Sequence, residues 1–172
     1  MVLKTFKVKS NIKYLNKLLA NRQVKVSENK VKNVGVILNK AEFDNINKFS
    51  ALAQLIKTHA NKLKIAIFTL EDIKSDNDAI VYFSPKDFGW NGTIKTEALK
   101  TFLNFEFDLL INYYSSDSLD LKITTARSKA YFKIGVLQTD TRLNDLIINT
   151  EIKDFDVFKN EVFKYLTILN KI

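Results

Sequence analysis

Residues 34–70, VGVILNKAEFDNINKFSALAQLIKTHANKLKIAIFTL, decide the fold. The opening VGVIL is a continuous apolar run rich in β-branched side chains, the pattern of a strand covered on both faces. Residues 39–42 turn the chain. Over residues 43–62, Phe43, Ile46, Phe49, Leu52, Leu55, Ile56 and, just beyond, Leu63 recur at helical spacing and predict an amphipathic helix. KIAIFTL at 64–70 predicts a second strand, and strand, helix and strand in this order make a β-α-β unit with parallel strands.

Toward the C-terminus the alternation continues. The acidic stretch 71–78 leads to a third strand at 79–84, AIVYFS. That link is too short for a crossover helix, so this strand is expected to be antiparallel or joined in an unusual way. Residues 85–96, PKDFGWNGTIKT, hold the sole proline, the sole tryptophan and two of the four glycines, and predict a shaped loop. A short helix is expected at 97–104, a deeply buried strand at 107–114 (FDLLINYY) and a helix at 118–129. Strands at 132–137 (FKIGVL) and 144–149 (NDLIIN) follow. The last helix, 155–170, has Asp154 as its expected N-cap and Phe158, Val162, Tyr165, Leu166 and Leu169 as its apolar stripe. The sum is an α/β fold: a single Rossmann-like or flavodoxin-like layered domain, with a mainly parallel sheet and helices on both faces.

Toward the N-terminus the composition changes. The 172 residues carry a net charge of +8. All of that surplus falls in residues 1–33, through Lys4, Lys7, Lys9, Lys13, Lys17, Arg22, Lys25, Lys30 and Lys32 against the single acid Glu28. Residues 34–172 are electrically balanced. The expected organisation is therefore a basic N-terminal arm, 1–33, leading an α/β domain, 34–172. Within the arm, KSNIKYLNKLLANR at 9–22 places Ile12, Leu15, Leu18 and Leu19 at helical spacing. Lys9, Lys13 and Lys17 follow one another at four-residue steps along another face. A basic amphipathic helix preceding a neutral body points to an anionic macromolecule, RNA or a ribonucleoprotein, with Lys9, Lys13, Lys17 and Arg22 as phosphate contacts. An anionic membrane surface is the alternative partner, weakened by the lack of Trp or Phe on the apolar face within 9–22. The apolar runs here are too short for a signal peptide, and none elsewhere nears the roughly 20 residues of a membrane span, so a cytoplasmic location is expected.

Composition also excludes chemistry. With no cysteine there is no disulfide, thiolate metal site or cysteine nucleophile, and the lone His59 permits no histidine metal cage. Gly35, Gly89, Gly92 and Gly135 are too scattered for a dinucleotide fingerprint or a phosphate loop, so no cofactor is implied. His59, near the apolar stripe of its helix, fits the core margin better than a base. The acids of 71–78 lack calcium-loop spacing, and Ser115 and Ser116 lack a nucleophile elbow. No catalytic residue is singled out.

Open parallel sheets bind ligands outside the carboxyl ends of their strands. That rule gathers Asn39 and Lys40, then Lys86, Asp87 and Trp90, then Asn112, Ser115, Ser116 and Asp117, then Gln138, Asp140 and Arg142. Such a set suits a small polar ligand, and a small enzyme or ligand sensor is the second functional class. The same residues also fit ordinary polar loops, and Asp117 also fits the electrostatics of a helix start.

FSPKDFGWNG at 83–92, FDLLIN at 107–112 and SKAYFKIGV at 128–136 resemble a family of small bacterial proteins of unknown function. The resemblance extends over most of the chain and implies no activity. A fainter likeness, in the D-L-I-I-type strand, helix and K-x-G strand of 107–136, is to the acceptor-side domain of heptosyltransferase-type glycosyltransferases, and it implies fold alone.

Overall fold

The computed structural model describes residues 2–24, 28–137 and 140–172. Every residue of β1 (Val34–Asn39) is buried, as a continuous apolar run demands of a central strand. It lies between β2 (Leu63–Phe68) and β4 (Leu109–Tyr113). With β3 (Ile80–Phe83), β5 (Phe132–Val136) and β6 (Leu146–Ile148) the sheet runs β3-β2-β1-β4-β5-β6, and every neighbouring pair is parallel. This is the doubly wound order, whose topological switch point falls between β1 and β4.

The direction of β3, left open by the sequence, is thus parallel, and the join is the unusual one. Residues 69–79 return along the sheet without a helix. Thr69 N–H donates to the Phe83 carbonyl at 2.9 Å and Ile65 N–H to the Ala79 carbonyl at 2.8 Å, so the sheet's own hydrogen bonds hold both ends of the link.

Side chains alternate across each strand and build two cores. On one face α2 (Asn47–Leu55) and α5 (Phe155–Ile168) cover Val34, Val36, Leu38, Ile111 and Tyr113. Phe43, Phe49, Tyr113 and Phe155 meet there with ring centroids 5.0–5.7 Å apart. Burial pushes the Tyr113 phenol up, and its O–H donates to the Ile152 carbonyl at 2.7 Å. On the other face α3 (Glu97–Asn104), α4 (Leu119–Arg127) and α1 (Val2–Ala20) cover Ile37, Ala66 and Leu110. Phe107 packs onto the bare backbone of Gly35, where a methyl group would sit 2.8 Å from its ring.

α2 is shorter than its apolar spacing predicts. Phe43 leaves the helix to join the aromatic cluster, and Asp44 and Asn45, poor helix formers, sit in the turn before it. Its end is closed by Lys57 at φ 59° and by the Thr58 N–H on the Ala53 carbonyl at 2.8 Å, a Schellman arrangement. His59 consequently lies past the helix and is exposed.

The segment expected to lead the domain as an arm packs against it. α1 begins earlier than the spacing of 9–22 indicates, and Leu15 (6% exposed) and Leu19 (5% exposed) belong to the second core. Each such burial stabilises the fold by about 1.5–3 kcal/mol. Past the helix, Val31 N–H donates to the Lys171 carbonyl at 2.8 Å and Lys30 Nζ to Asn170 Oδ1 at 2.8 Å, which ties the connection to the C-terminus. Asp108 Oδ2 accepts from the Lys32 and Asn33 N–H groups at 3.0 and 2.9 Å. Lys25 lies outside the described residues. Residue 34 marks a change of local pattern, while in space α1 shares one core with β1, β2 and β4.

Candidate functional site

The loop at 85–96 is the seat of α1. Asn11, buried in the middle of the helix, donates from Nδ2 to the Gly89 carbonyl at 3.1 Å and accepts at Oδ1 from the Gly92 N–H at 2.9 Å. Ser10 Oγ donates to Asn91 Oδ1 at 2.5 Å and accepts from the Asn91 N–H at 3.1 Å. Tyr14 lies so close over Gly92 that a methyl group there would be 2.2 Å from its ring, and Gly92 itself has φ +64°. Both facts require glycine. Arg127 at the end of α4 donates to the Gly92 carbonyl at 2.6 Å and fixes the seat from behind. Phe88 is fully buried as a plug under the loop, whereas Trp90 stays 47% exposed.

Docking sorts the basic residues of 1–33 into two groups. Arg22 is engaged internally. Its Nη2 pairs with Asp145 Oδ1 at 2.5 Å and its Nη1 donates to the Arg142 carbonyl at 2.9 Å, with the Arg22 and Asp145 side chains 18% and 7% exposed. It anchors the end of α1 to the start of β6, and its charge, expected to meet a phosphate, is here met by Asp145. Lys7 faces Asp120 in α4, where burial raises the carboxyl pKa and the Lys7 charge opposes the rise. Lys9, Lys13 and Lys17, in contrast, are exposed on the outward side of α1 and form no ion pair with any described residue. At 100° per residue they fall within about a quarter of the helix circumference, so the three ammonium groups make one stripe.

Beside the stripe a groove of about 400 Å³ runs between α1 and the turn from α4 to β5. Tyr14, Leu18, Ala126 and Ala130 form an apolar floor, and Lys17 and Lys129 stand on opposite rims. Deeper in the wall, the buried Lys133 donates from Nζ to the Thr125 and Ser128 carbonyls at 2.7 and 2.9 Å, which caps the end of α4. Arg22 and Tyr131 also line the wall, and no carboxylate among the described residues lines this groove. Sequence reasoning missed it; the available signal was the alternation of Lys129, Tyr131 and Lys133 in SKAYFK.

At the carboxyl ends of the strands the expected site residues are present but mostly engaged by other groups of the protein. Asn39, at the end of β1, donates from Nδ2 to Ser116 Oγ at 3.2 Å across the switch point. Glu42 lays its carboxylate on the loop after β4, accepting from the Ser115 and Ser116 N–H groups at 2.7 Å each. Asp117 pairs with Lys122, and Arg142 pairs with Asp140 at 2.8 Å, which holds the Asp140 carboxyl below its ordinary range. Lys40 pairs with Glu71 at 3.0 Å. Asn112 is wholly buried between Asn144 Oδ1, at 2.6 Å, and the Thr125 hydroxyl, at 3.0 Å. Lys86 and Asp87 share a separate recess of about 200 Å³ with Thr69, Glu71 and Ser84, and the Asp87 carboxylate accepts from the Ser84 N–H at 2.8 Å. Trp90 stands on the seat of α1. Gln138 lies outside the described residues. Among those residues no group of three or more His, Asp or Glu side chains could hold a metal ion, and no helix is long and apolar enough to cross a membrane.

These features define a doubly wound, parallel α/β domain that carries a basic helix as an integral part of its globule. The chain belongs to the family of unknown function DUF6913, whose profile matches residues 7–169 and so includes α1 from Lys7 onward. No curated protein and no solved structure matches it.

Proposed function

We propose that this is a non-enzymatic binding protein that holds an anionic partner, RNA or a ribonucleoprotein, on the outward side of α1. One observation carries the reading: Lys9, Lys13 and Lys17 are exposed, free of ion pairs among the described residues and displayed by a helix fixed to the body through Ser10, Asn11 and Tyr14. A fixed helix loses little conformational entropy on binding, and lysines aimed at phosphates position a backbone without reading its sequence. Lys129 across the groove extends the cationic surface. A cytoplasmic location accompanies this reading. The heptosyltransferase likeness of 107–136 is kept as a proposal about fold and adds no chemistry.

The test is the salt dependence of binding to a single-stranded RNA oligonucleotide. Three or four phosphate contacts give a log-log slope of about −2 to −3, at roughly −0.7 per phosphate. The combined substitution Lys9→Gln, Lys13→Gln, Lys17→Gln brings the slope about 2 closer to zero, on the same per-phosphate figure, and leaves the circular dichroism spectrum unchanged. Equal slopes and affinities for the two proteins would overturn the reading. Truncation before Val34 is no substitute, because it also removes Leu15 and Leu19 from the core.

A membrane surface is the second reading, favoured by Leu3 and Phe6, which are 75% and 54% exposed on the same helix. It differs in a simple way: Phe6→Ala releases the protein from anionic vesicles but leaves oligonucleotide binding intact.

A further inference from the structure

We infer that the groove between α1 and the α4–β5 turn holds one unstacked nucleotide of a single-stranded RNA, with the base on the apolar floor and the flanking phosphates at the lysine rims. This rests on the RNA reading and adds a subsite to it. Tyr14 is held with its ring against Gly92, and the small side chains of Ala126 and Ala130 line the groove beside it. The volume, about 400 Å³, lies within the range of small-molecule sites. Lys17 and Lys129 stand at the rims without ion-pair partners among the described residues. Behind them Lys133 is held by the neutral Thr125 and Ser128 carbonyls, so it adds positive potential without needing the ligand to satisfy it, while the charge of Arg22 is balanced by Asp145.

The combination asks for a ligand with both an apolar face and negative charge. An aliphatic ligand leaves the lysines unused, and inorganic phosphate leaves the floor bare. A nucleotide engages both, through stacking on the aromatic ring and charge at the phosphates. A duplex hides its base faces, so the occupant is a base splayed out of a single strand.

Fluorescence anisotropy with two labelled RNA strands of equal length tests this, one an oligoadenylate and the other the same backbone carrying abasic sugars. The oligoadenylate is expected to bind about tenfold more tightly, the effect of one stacked base. Ala126→Leu, which fills the floor, is expected to abolish that ratio while the abasic strand binds as before. Equal binding of both strands to the wild-type protein would overturn the groove assignment and leave the lysine stripe standing. A ratio that persists in the Ala126→Leu protein would move stacking elsewhere, to the exposed Trp90 for example, and also overturn it. Binding of neither strand would remove both the subsite and the RNA reading.

Discussion

The outward side of α1 and the crevice at the carboxyl ends of the strands are both rich in charge, yet they use it in opposite ways. In the crevice Glu42 sits on the Ser115 and Ser116 N–H groups, Asp117 on Lys122, Asp140 on Arg142 and Glu71 on Lys40. Backbone N–H groups at a switch point are where doubly wound folds commonly receive an anion, and here the chain supplies its own carboxylate. Along α1, Lys9, Lys13 and Lys17 have no such partners among the described residues. Much of the charge at the location favoured by fold convention is neutralised from within, whereas α1 displays a stripe of lysines unpaired among the described residues.

Arg22 marks the boundary between the two behaviours and yields the largest expected effect. Arg22→Ala leaves the nearly buried Asp145 carboxylate without its cation and should lower stability by about 3–5 kcal/mol, read from the urea midpoint. Little change in stability with a clear loss of RNA affinity would place Arg22 among the free cations instead. A smaller effect is expected on the other side. Glu42→Gln keeps the shape of the plug, but its amide nitrogen cannot accept, so one of the two hydrogen bonds is lost and the other weakened at partly solvated N–H groups, a loss of about 1–3 kcal/mol. Oligonucleotide affinity should be unaffected; a change in it would bring the crevice into the binding surface.

The layered α/β fold was legible because buried parallel strands are continuous apolar runs: VGVIL and FDLLINYY can be little else. The direction of β3 was not, because the expectation rested on a helical crossover and the chain crosses without a helix through 69–79. α1 was legible as a helix from Leu15, Leu18 and Leu19 at helical spacing, but its docking was not. The residues that seat it are polar and distant in sequence, Ser10 and Asn11 against Gly89, Asn91 and Gly92, and no local period encodes such a contact. The same holds for the candidate site. Lys9, Lys13 and Lys17 could be read from their four-residue steps, whereas the engagement of Arg22 with Asp145 and the groove shared with Lys129 exist only once α1 is laid beside α4 and β5.

The central claim, that the partner is held on α1 and not at the strand ends, is tested most directly by mapping backbone amide chemical shifts of the isotope-labelled protein as a single-stranded RNA oligonucleotide is added. Shifts concentrated at residues 9–17 and 128–131, with those of Asn39, Ser115 and Ser116 unmoved, are the predicted result. Shifts centred on Asn39, Ser115 and Ser116, with the α1 amides silent, would contradict it.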